Sequence, residues 1–390
     1  MVLMALFGIK PSLSIRIIGF VILLKFAKWF TRVDKKLVVF ASDSVAHANG
    51  NIKLVRDHLA SLNLPIEIQN SVRANLATRR TWRKKFELIR LLATAQVVVL
   101  DDNFPEAYVE KRPARTSMIQ LWHAAGAFKK IGHSRFGQPN GPGRWSVAHR
   151  GYTGAIVSSE AIVHDYEEAY KASPGVVSPL GIPKTDPLFD SAHVSHTAKD
   201  VREKYNIPSG NRIVLFAPTF RGTHQHEAHY DPSWVDWREI AATPQFEKTT
   251  FLIKHHPFVR DLSGNAPKIH NVIDVSDDTD MTSFLCAADV LITDYSSSIF
   301  EYSLLDRPMI FFCPDLEDYI DDRGFYYPLE EYLCGPIAHN QAELVEALSA
   351  KKPSLDKVRE LRHKFMDACD GHSTQRVVEQ LILPALDLTP

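Results

Sequence analysis

Largely apolar runs of three to five residues recur along the chain, and each stops at polar or charged residues. In the first half, Leu37–Ala41, Gln96–Leu100, Ser117–Leu121 and Ala155–Ser158 read this way. In the second half, Ile213–Ala217, Phe251–Lys254, Val272–Asp274, Val290–Thr293 and Met309–Phe312 repeat the rhythm. Continuous apolar runs this short suit strands buried on both faces. Helical patterns lie between them: one ends near Leu62, one covers Ser159–Tyr170 and one covers Thr197–Tyr205. Strand–helix alternation predicts parallel sheets flanked by helices. Between Pro183 and Gly210 prolines and polar residues collect, which marks a domain boundary. The expected division is an N-terminal helical segment 1–33, an α/β domain 34–195, a second α/β domain 208–375 and a C-terminal helix 376–390. Both domains are expected to be doubly wound, with a cleft between the C-terminal edges of their strands, where such folds bind ligands.

The stretch up to Arg32 breaks this rhythm. It is rich in Ile, Leu, Phe and Val, but its longest uncharged run, Ile17 to Leu24, is far short of the roughly 20 residues a spanning helix needs. No small-residue cleavage site follows, so a signal peptide is not expected. Lys25, Lys28 and Arg32 recur on one helical stripe beside Trp29 and Phe30. This pattern predicts an amphipathic helix lying on an anionic membrane surface. The structural alternative is a helix packed on the protein itself or on a second subunit, and a homo-oligomer is left open.

Composition narrows the class. A chain of 390 residues exceeds one ordinary core and accommodates two domains. The net charge of -1 gives no global attraction to nucleic acid, so none is expected as a partner. The four cysteines, Cys286, Cys313, Cys334 and Cys369, form no CxxC pair, which argues for reduced thiols, a cytosolic setting and no zinc site.

Four clusters follow predicted strands. His123, in QLWHAAGAFKKIG, comes directly after a strand and can serve as a general base, with Gly126 for a tight turn and Lys129 and Lys130 for charge. Arg221, in LFAPTFRG after Thr219, can clamp a phosphate or form a surface ion pair. His255 and His256 are neighbours in LIKHHPF, and an extended backbone points them to opposite sides, so one at most faces the site. No matching HxxxH or carboxylate spacing suggests a metal. In TDYSSSIFEY, Thr293, Ser296, Ser297 and Ser298 precede a helix, which suits an N-cap, a phosphate cradle or both. No GxxxxGK[ST] loop occurs, which excludes a P-loop nucleoside triphosphatase. The pairs Asp101–Asp102, Asp277–Asp278 and Asp321–Asp322 read as solvated loop charge.

In this order the clusters resemble the CDP-glycerol glycerophosphotransferase family of teichoic acid primases and polymerases. The segments that carry the resemblance are WHAAGAFKKIG, GIPKTDPL, APTFRG, KHHP, TDYSSSIFEY and DRGFYYP, with Asp370, Gly371, Ser373 and Arg376 near the end. The resemblance implies a GT-B fold of two Rossmann-like domains. It implies transfer of glycerol phosphate, or ribitol phosphate, from CDP-glycerol or CDP-ribitol to a lipid-linked (prenyl-diphosphate) saccharide acceptor. The setting would be the cytoplasmic membrane face, with no cofactor or metal required. Carried over by position, His123 is the base and His256 the second essential histidine. Arg221, Thr219, Thr293, Ser296, Ser297, Ser298, Glu301, Arg323, Gly324 and Ser373 fall on the donor side. Gly126, Lys129 and Lys130 fall on the acceptor or phosphate side. Ala124–Ala125 before Gly126, and Lys184 where the family usually has Arg, are departures that bear on acceptor preference. A GT-B glycosyltransferase or nucleotide-sugar epimerase is the competing reading.

Overall fold

The computed structural model describes residues 11–43, 48–73, 80–107, 115–138, 141–143, 146, 148–222, 227–259, 269–350 and 353–389. The chain forms two compact units. One comprises Met1–Asp186 with Asp367–Pro390, and the other is Pro187–Met366. Relative to the expected division, residues 187–195 and 367–375 change sides.

In the first unit, helix α1 (Pro11–Phe30) precedes strand β1 (Asp34–Ser42). Helix α2 (Lys53–Ser61), β2 (Glu67–Val72), α3 (Trp82–Thr94), β3 (Ala95–Leu100), β4 (Ser117–Gln120), β5 (Gly154–Ile156), α4 (Val163–Tyr170) and β6 (Val177–Ser178) follow. The sheet order is β2-β1-β3-β4-β5-β6, and every pair is parallel. Val38 to Ala41 and Val97 to Leu100 are almost wholly buried, as continuous apolar runs should be. The direction of the connections reverses between β1 and β3, which makes that crevice the unit's topological switch point.

The second unit begins with α5 (Ser191–Lys204), capped by Asp190, whose carboxylate accepts from the Ala192 and His193 N–H groups. It continues through β7 (Arg212–Phe216), α6 (Trp237–Ala242), β8 (Thr249–Ile253), β9 (Val272–Asp274), α7 (Met281–Ala287) and β10 (Val290–Thr293). Helix α8 (Ser298–Ser303), β11 (Met309–Phe312), α9 (Leu316–Arg323), β12 (Ile337–Ala338), α10 (Gln341–Ser349) and α11 (Asp356–Phe365) complete it. Its order, β12-β11-β10-β7-β8-β9, is again all parallel and places the switch point between β7 and β10. Phe216, Phe251, Ile292 and Phe312 anchor the core on one face of this sheet.

Strands β2, β6 and β12 have no counterpart in the apolar pattern. All three are sheet edges, and β2 (EIQNSV) is half-exposed throughout, so no buried run betrays it. The N-terminal helix also differs from expectation. It ends at Phe30, which leaves Arg32 off the helix, and Ile22, Leu23, Phe26, Trp29 and Phe30 are all exposed around it. Among the described residues, no helix is long and apolar enough to cross a membrane.

A clasp closes the first unit. Helix α12 (Ser373–Val377) starts where the Ser373 and Thr374 N–H groups donate to the Asp186 carboxylate, at 2.9 and 2.7 Å. Arg376 donates to the Leu180 and Ala368 carbonyls and to Asp370. Gly181 makes the close approach feasible. Its φ is +79°, and a Cβ there would lie 2.3 Å from Ser373 Oγ and 2.5 Å from Ala368 O. Gly181→Ala is expected to cost about 2–5 kcal/mol, from left-handed strain plus overpacking. A urea unfolding midpoint indistinguishable from wild type would contradict this account of the clasp.

Candidate active site

In the first unit, β4 delivers the candidate base. The Trp122 N–H donates to Gln120 Oε1 at 2.9 Å, and Asn51 Nδ2 donates to the Trp122 carbonyl at 2.5 Å. Trp122 has φ +54°, a left-handed conformation that a bulky residue holds only where its surroundings enforce it. The turn leaves the His123 side chain about a third exposed, with Nδ1 3.3 Å from Asp102 Oδ1. A carboxylate beside Nδ1 favours the proton there and leaves Nε2 as the basic nitrogen. Gln120 in turn donates to the Asp102 carbonyl at 3.0 Å and to the Tyr152 hydroxyl at 2.9 Å.

Asp102 is therefore a functional candidate, although the sequence suggested only loop charge. Its partner lies 21 positions away, and only strand pairing brings the ends of β3 and β4 together. Asn51 is a second residue without a sequence signal. It ties Trp122 to the Lys184 N–H, which donates to Asn51 Oδ1 at 2.8 Å. The neighbouring His149 is buried among Trp122, Tyr152 and Tyr170, and burial pushes its pKa down to about 4. It is neutral at physiological pH. Gly126 uses its left-handed φ of +66° to turn the chain, donating to Ser158 Oγ and accepting from the Tyr166 hydroxyl. Lys129 and Lys130 are half-buried on the following segment.

In the second unit, the APTFRG and TDYSS segments leave β7 and β10, on either side of the switch point. The fully buried Asp294 carboxylate gathers them. It accepts from the Thr219 N–H (2.8 Å), Thr219 Oγ1 (2.6 Å), the Tyr295 N–H (2.6 Å) and Arg221 Nη1 (2.9 Å). Arg221 also donates to both oxygens of Asp315, at 2.5 and 2.9 Å, and to the Thr219 carbonyl. Its guanidinium lies over the stacked rings of Tyr295 and Tyr319. Burial opposes its charge, but the hydrogen bonds and charges of Asp315 and Asp294 hold its pKa well above the ordinary arginine value.

These contacts bear on four residues expected on the donor side. Arg221 is 8% exposed and sits between two carboxylates, so here it acts as a latch between them. Thr219 is committed to Asp294, and Thr293 Oγ1 donates to the Ala217 carbonyl at 2.7 Å. Ser373 lies in the first unit with its side chain fully buried in the clasp.

What remains at the edge is softer. Ser296 and Ser297 are half-buried, Ser298 is buried, and Ser296 Oγ accepts from the Ser298 N–H at 3.3 Å. Ser296 and Ser298 also share a hydroxyl hydrogen bond of 2.9 Å. Glu301 is half-buried one turn further on. His256 Nδ1 accepts from the Phe258 N–H at 3.2 Å, which assigns the neutral ring's proton to Nε2. Its ring packs on Phe220 and Phe258. His255 turns the other way, toward Phe216 and Tyr230, and burial lowers its pKa. The two histidines do not converge. Gly324, with φ +64°, ends α9; the Arg323 side chain lies outside the described residues.

Comparison with known proteins decides the family. The sequence model of the CDP-Glycerol:Poly(glycerophosphate) glycerophosphotransferase family matches residues 23–383. The chain belongs to that family. Among its relatives is the teichoic acid ribitol-phosphate polymerase TarK of Staphylococcus aureus, 37% identical over 96% of this chain and 74% of TarK. A teichoic acid glycerol-phosphate transferase of the same organism is 26% identical over 76% of this chain and 79% of its own length. The fold matches the wall teichoic acid polymerase TagF, in its H548A form, with a TM-score of 0.76 at 18% identity, over 96% of this chain and 97% of that one. The GT-B-like architecture is thereby shown, and the glycosyltransferase or epimerase alternative is not favoured. Family membership makes the chain a phosphotransferase of teichoic acid synthesis.

The Asp294–Arg221–Asp315 latch carries a prediction of its own. Arg221→Met leaves the buried Asp294 and the half-buried Asp315 carboxylates without their cation, so unfolding should become easier by about 3–5 kcal/mol. Urea denaturation reads this directly. A variant of unchanged stability with a raised donor KM would restore the clamp role.

Proposed function

We propose that this enzyme transfers ribitol phosphate from CDP-ribitol to a hydroxyl of a lipid-linked acceptor, with release of CMP. The observation that carries the reading is the His123–Asp102 pair, a base and its orienting carboxylate held at a strand end of a family member. Ribitol over glycerol is supported by the 37% identity to a ribitol-phosphate polymerase, against 26% to a glycerol-phosphate transferase.

In the proposed reaction, His123 Nε2 takes the proton of the acceptor hydroxyl. The oxygen attacks the polyol-bearing phosphorus of the donor in line. The bond from that phosphorus to the bridging oxygen breaks, and CMP leaves with the electron pair. Such transfers depend on positioning and on neutralising the phosphoryl charge. His256 Nε2–H and the Ser296–Ser298 segment are the donors this reading assigns to the diphosphate. Arg221 acts indirectly, by holding Asp294 and therefore the path of the chain from β10 into Ser296.

His123→Asn and His256→Gln should each lower CMP release by about 100-fold or more. Asp102→Asn keeps the imidazole and loses its orienting charge, so a smaller loss, on the order of 10–100-fold, is expected. Coupled detection of CMP with CDP-ribitol and CDP-glycerol tests both chemistry and donor. Near-normal turnover in either histidine variant would sink the assignment.

The acceptor's lipid makes a membrane setting part of the proposal. Helix α1 exposes Phe26 (61%), Trp29 (83%) and Phe30 (73%), and packs beside α3, which exposes Trp82 (71%) and Phe86 (56%). Lys25, Arg32, Arg83 and Lys84 are exposed on the same two segments and their flanks. Exposed aromatics among basic residues suit the headgroup region of an anionic, cytoplasm-facing leaflet. Wild-type protein should float with phosphatidylglycerol-containing liposomes, and Trp29→Glu/Phe30→Glu should not. Equal flotation of the two proteins would remove this part of the proposal.

A further inference from the structure

A second charged assembly lies on the same sheet edge as His123, and the reaction just described does not use it. Asp43 follows β1 and is fully buried. Arg73, just past β2, donates to both of its oxygens through Nε and Nη2. Arg80 donates through Nη2 to Asp43 at 3.0 Å and through Nη1 to Ser71 Oγ at 3.0 Å. The Arg80 side chain is 5% exposed and packs over the Phe104 ring. Its Nε is buried and has no hydrogen-bond partner among the described residues.

Two guanidiniums on one carboxylate leave a surplus positive charge. Glu106 lies near both guanidiniums, and burial and the adjacent Asp43 charge raise its pKa. A buried arginine donor without an acceptor costs stability unless something completes it. The setting fits an oxyanion. Asp43 follows β1 beside the switch point between β1 and β3, where ligands enter sheets of this order. Ser71, Ala41, Leu100 and Gln120 lie in one register row across β2, β1, β3 and β4. Three strand spacings separate Ser71 from Gln120, roughly 14 Å at about 4.8 Å each. An extended acceptor chain reaches that far from its reacting hydroxyl at His123, and a single small polyol does not.

We propose that Arg73 and Arg80 form an oxyanion subsite that holds a phosphate group of the acceptor while its terminal hydroxyl reacts at His123. The subsite rests on the transferase reading given above. The phosphate belongs either to a phosphodiester within the growing chain or to the diphosphate of the lipid anchor.

Two acceptors separate these sources. One is a soluble glycoside bearing a single polyol phosphodiester and no diphosphate. The other is a prenyl-diphosphate saccharide bearing no phosphodiester. Arg73→Gln and Arg80→Gln should each raise the KM of at least one acceptor by about 10–100-fold, the range for loss of a charge-assisted hydrogen bond. The donor KM should stay within twofold, and Arg73→Lys should recover part of the loss. The acceptor whose KM moves identifies the source. Acceptor KM values unchanged for folded variants, checked by circular dichroism, would overturn the subsite, as would an equal shift in donor KM. If Arg80→Gln does not fold, Arg73→Gln decides, because Arg80 still pairs Asp43. Titration calorimetry of each acceptor against wild type and Arg73→Gln reads the subsite without turnover. Binding lost in Arg73→Gln, with no CMP released by wild type from any CDP-polyol, would keep the subsite and fail the transferase reading. Equal binding by both proteins would fail the subsite.

Discussion

The second unit is organised around one buried carboxylate. Asp294 ends the central strand β10 with no solvent contact, so its charge requires partners from the protein. It finds them in the chain leaving β7, through Thr219 and Arg221, and in its own next residue, Tyr295. Arg221 then needs a second anion, and Asp315, beyond β11, supplies it. Segments following three adjacent strands are thereby tied at one point. The serines after Asp294 inherit their place from this tie. An anion that reaches them meets hydroxyls and backbone N–H groups beside one guanidinium shared by two carboxylates.

That sharing separates what the sequence could indicate, the segments at strand ends, from what it could not, the partners within them. His123, Arg221, His256 and the serine row were legible because each lies within a few residues of the end of an apolar run, and ligands of parallel sheets collect at strand ends. The opposite facing of His255 and His256 was legible from extended-backbone geometry alone. The role of Arg221 was not, because an arginine that clamps a ligand and one that latches two aspartates look alike in one dimension. Asp102 and Asn51 were missed for a related reason. Their partners are distant in sequence, and only pairing of β3 with β4 and the approach of residue 184 reveal them.

The segments that carried the family resemblance divide in the structure. WHAAGAFKKIG, KHHP and TDYSSS present side chains at strand edges. GIPKTDPL and the Asp370–Arg376 segment do something else: Asp186 accepts from the Ser373 and Thr374 N–H groups, and Arg376 donates to the Leu180 and Ala368 carbonyls, inside the first unit. Three of the four sheet edges were least legible of all. Strands β2, β6 and β12 are sheet edges, and their pairing is supplied by a neighbour and not by their own pattern.

The clasp also bears on the order in which the molecule is made. The second unit is one uninterrupted stretch, whereas the first needs residues from both sides of it. During synthesis, Pro187–Met366 has all its parts while Asp186 still awaits Ser373 and Thr374. Domains fold as units as the chain emerges, so the inserted unit can reach its final state first. The unit that begins earlier finishes later, once the residues after Met366 have been made.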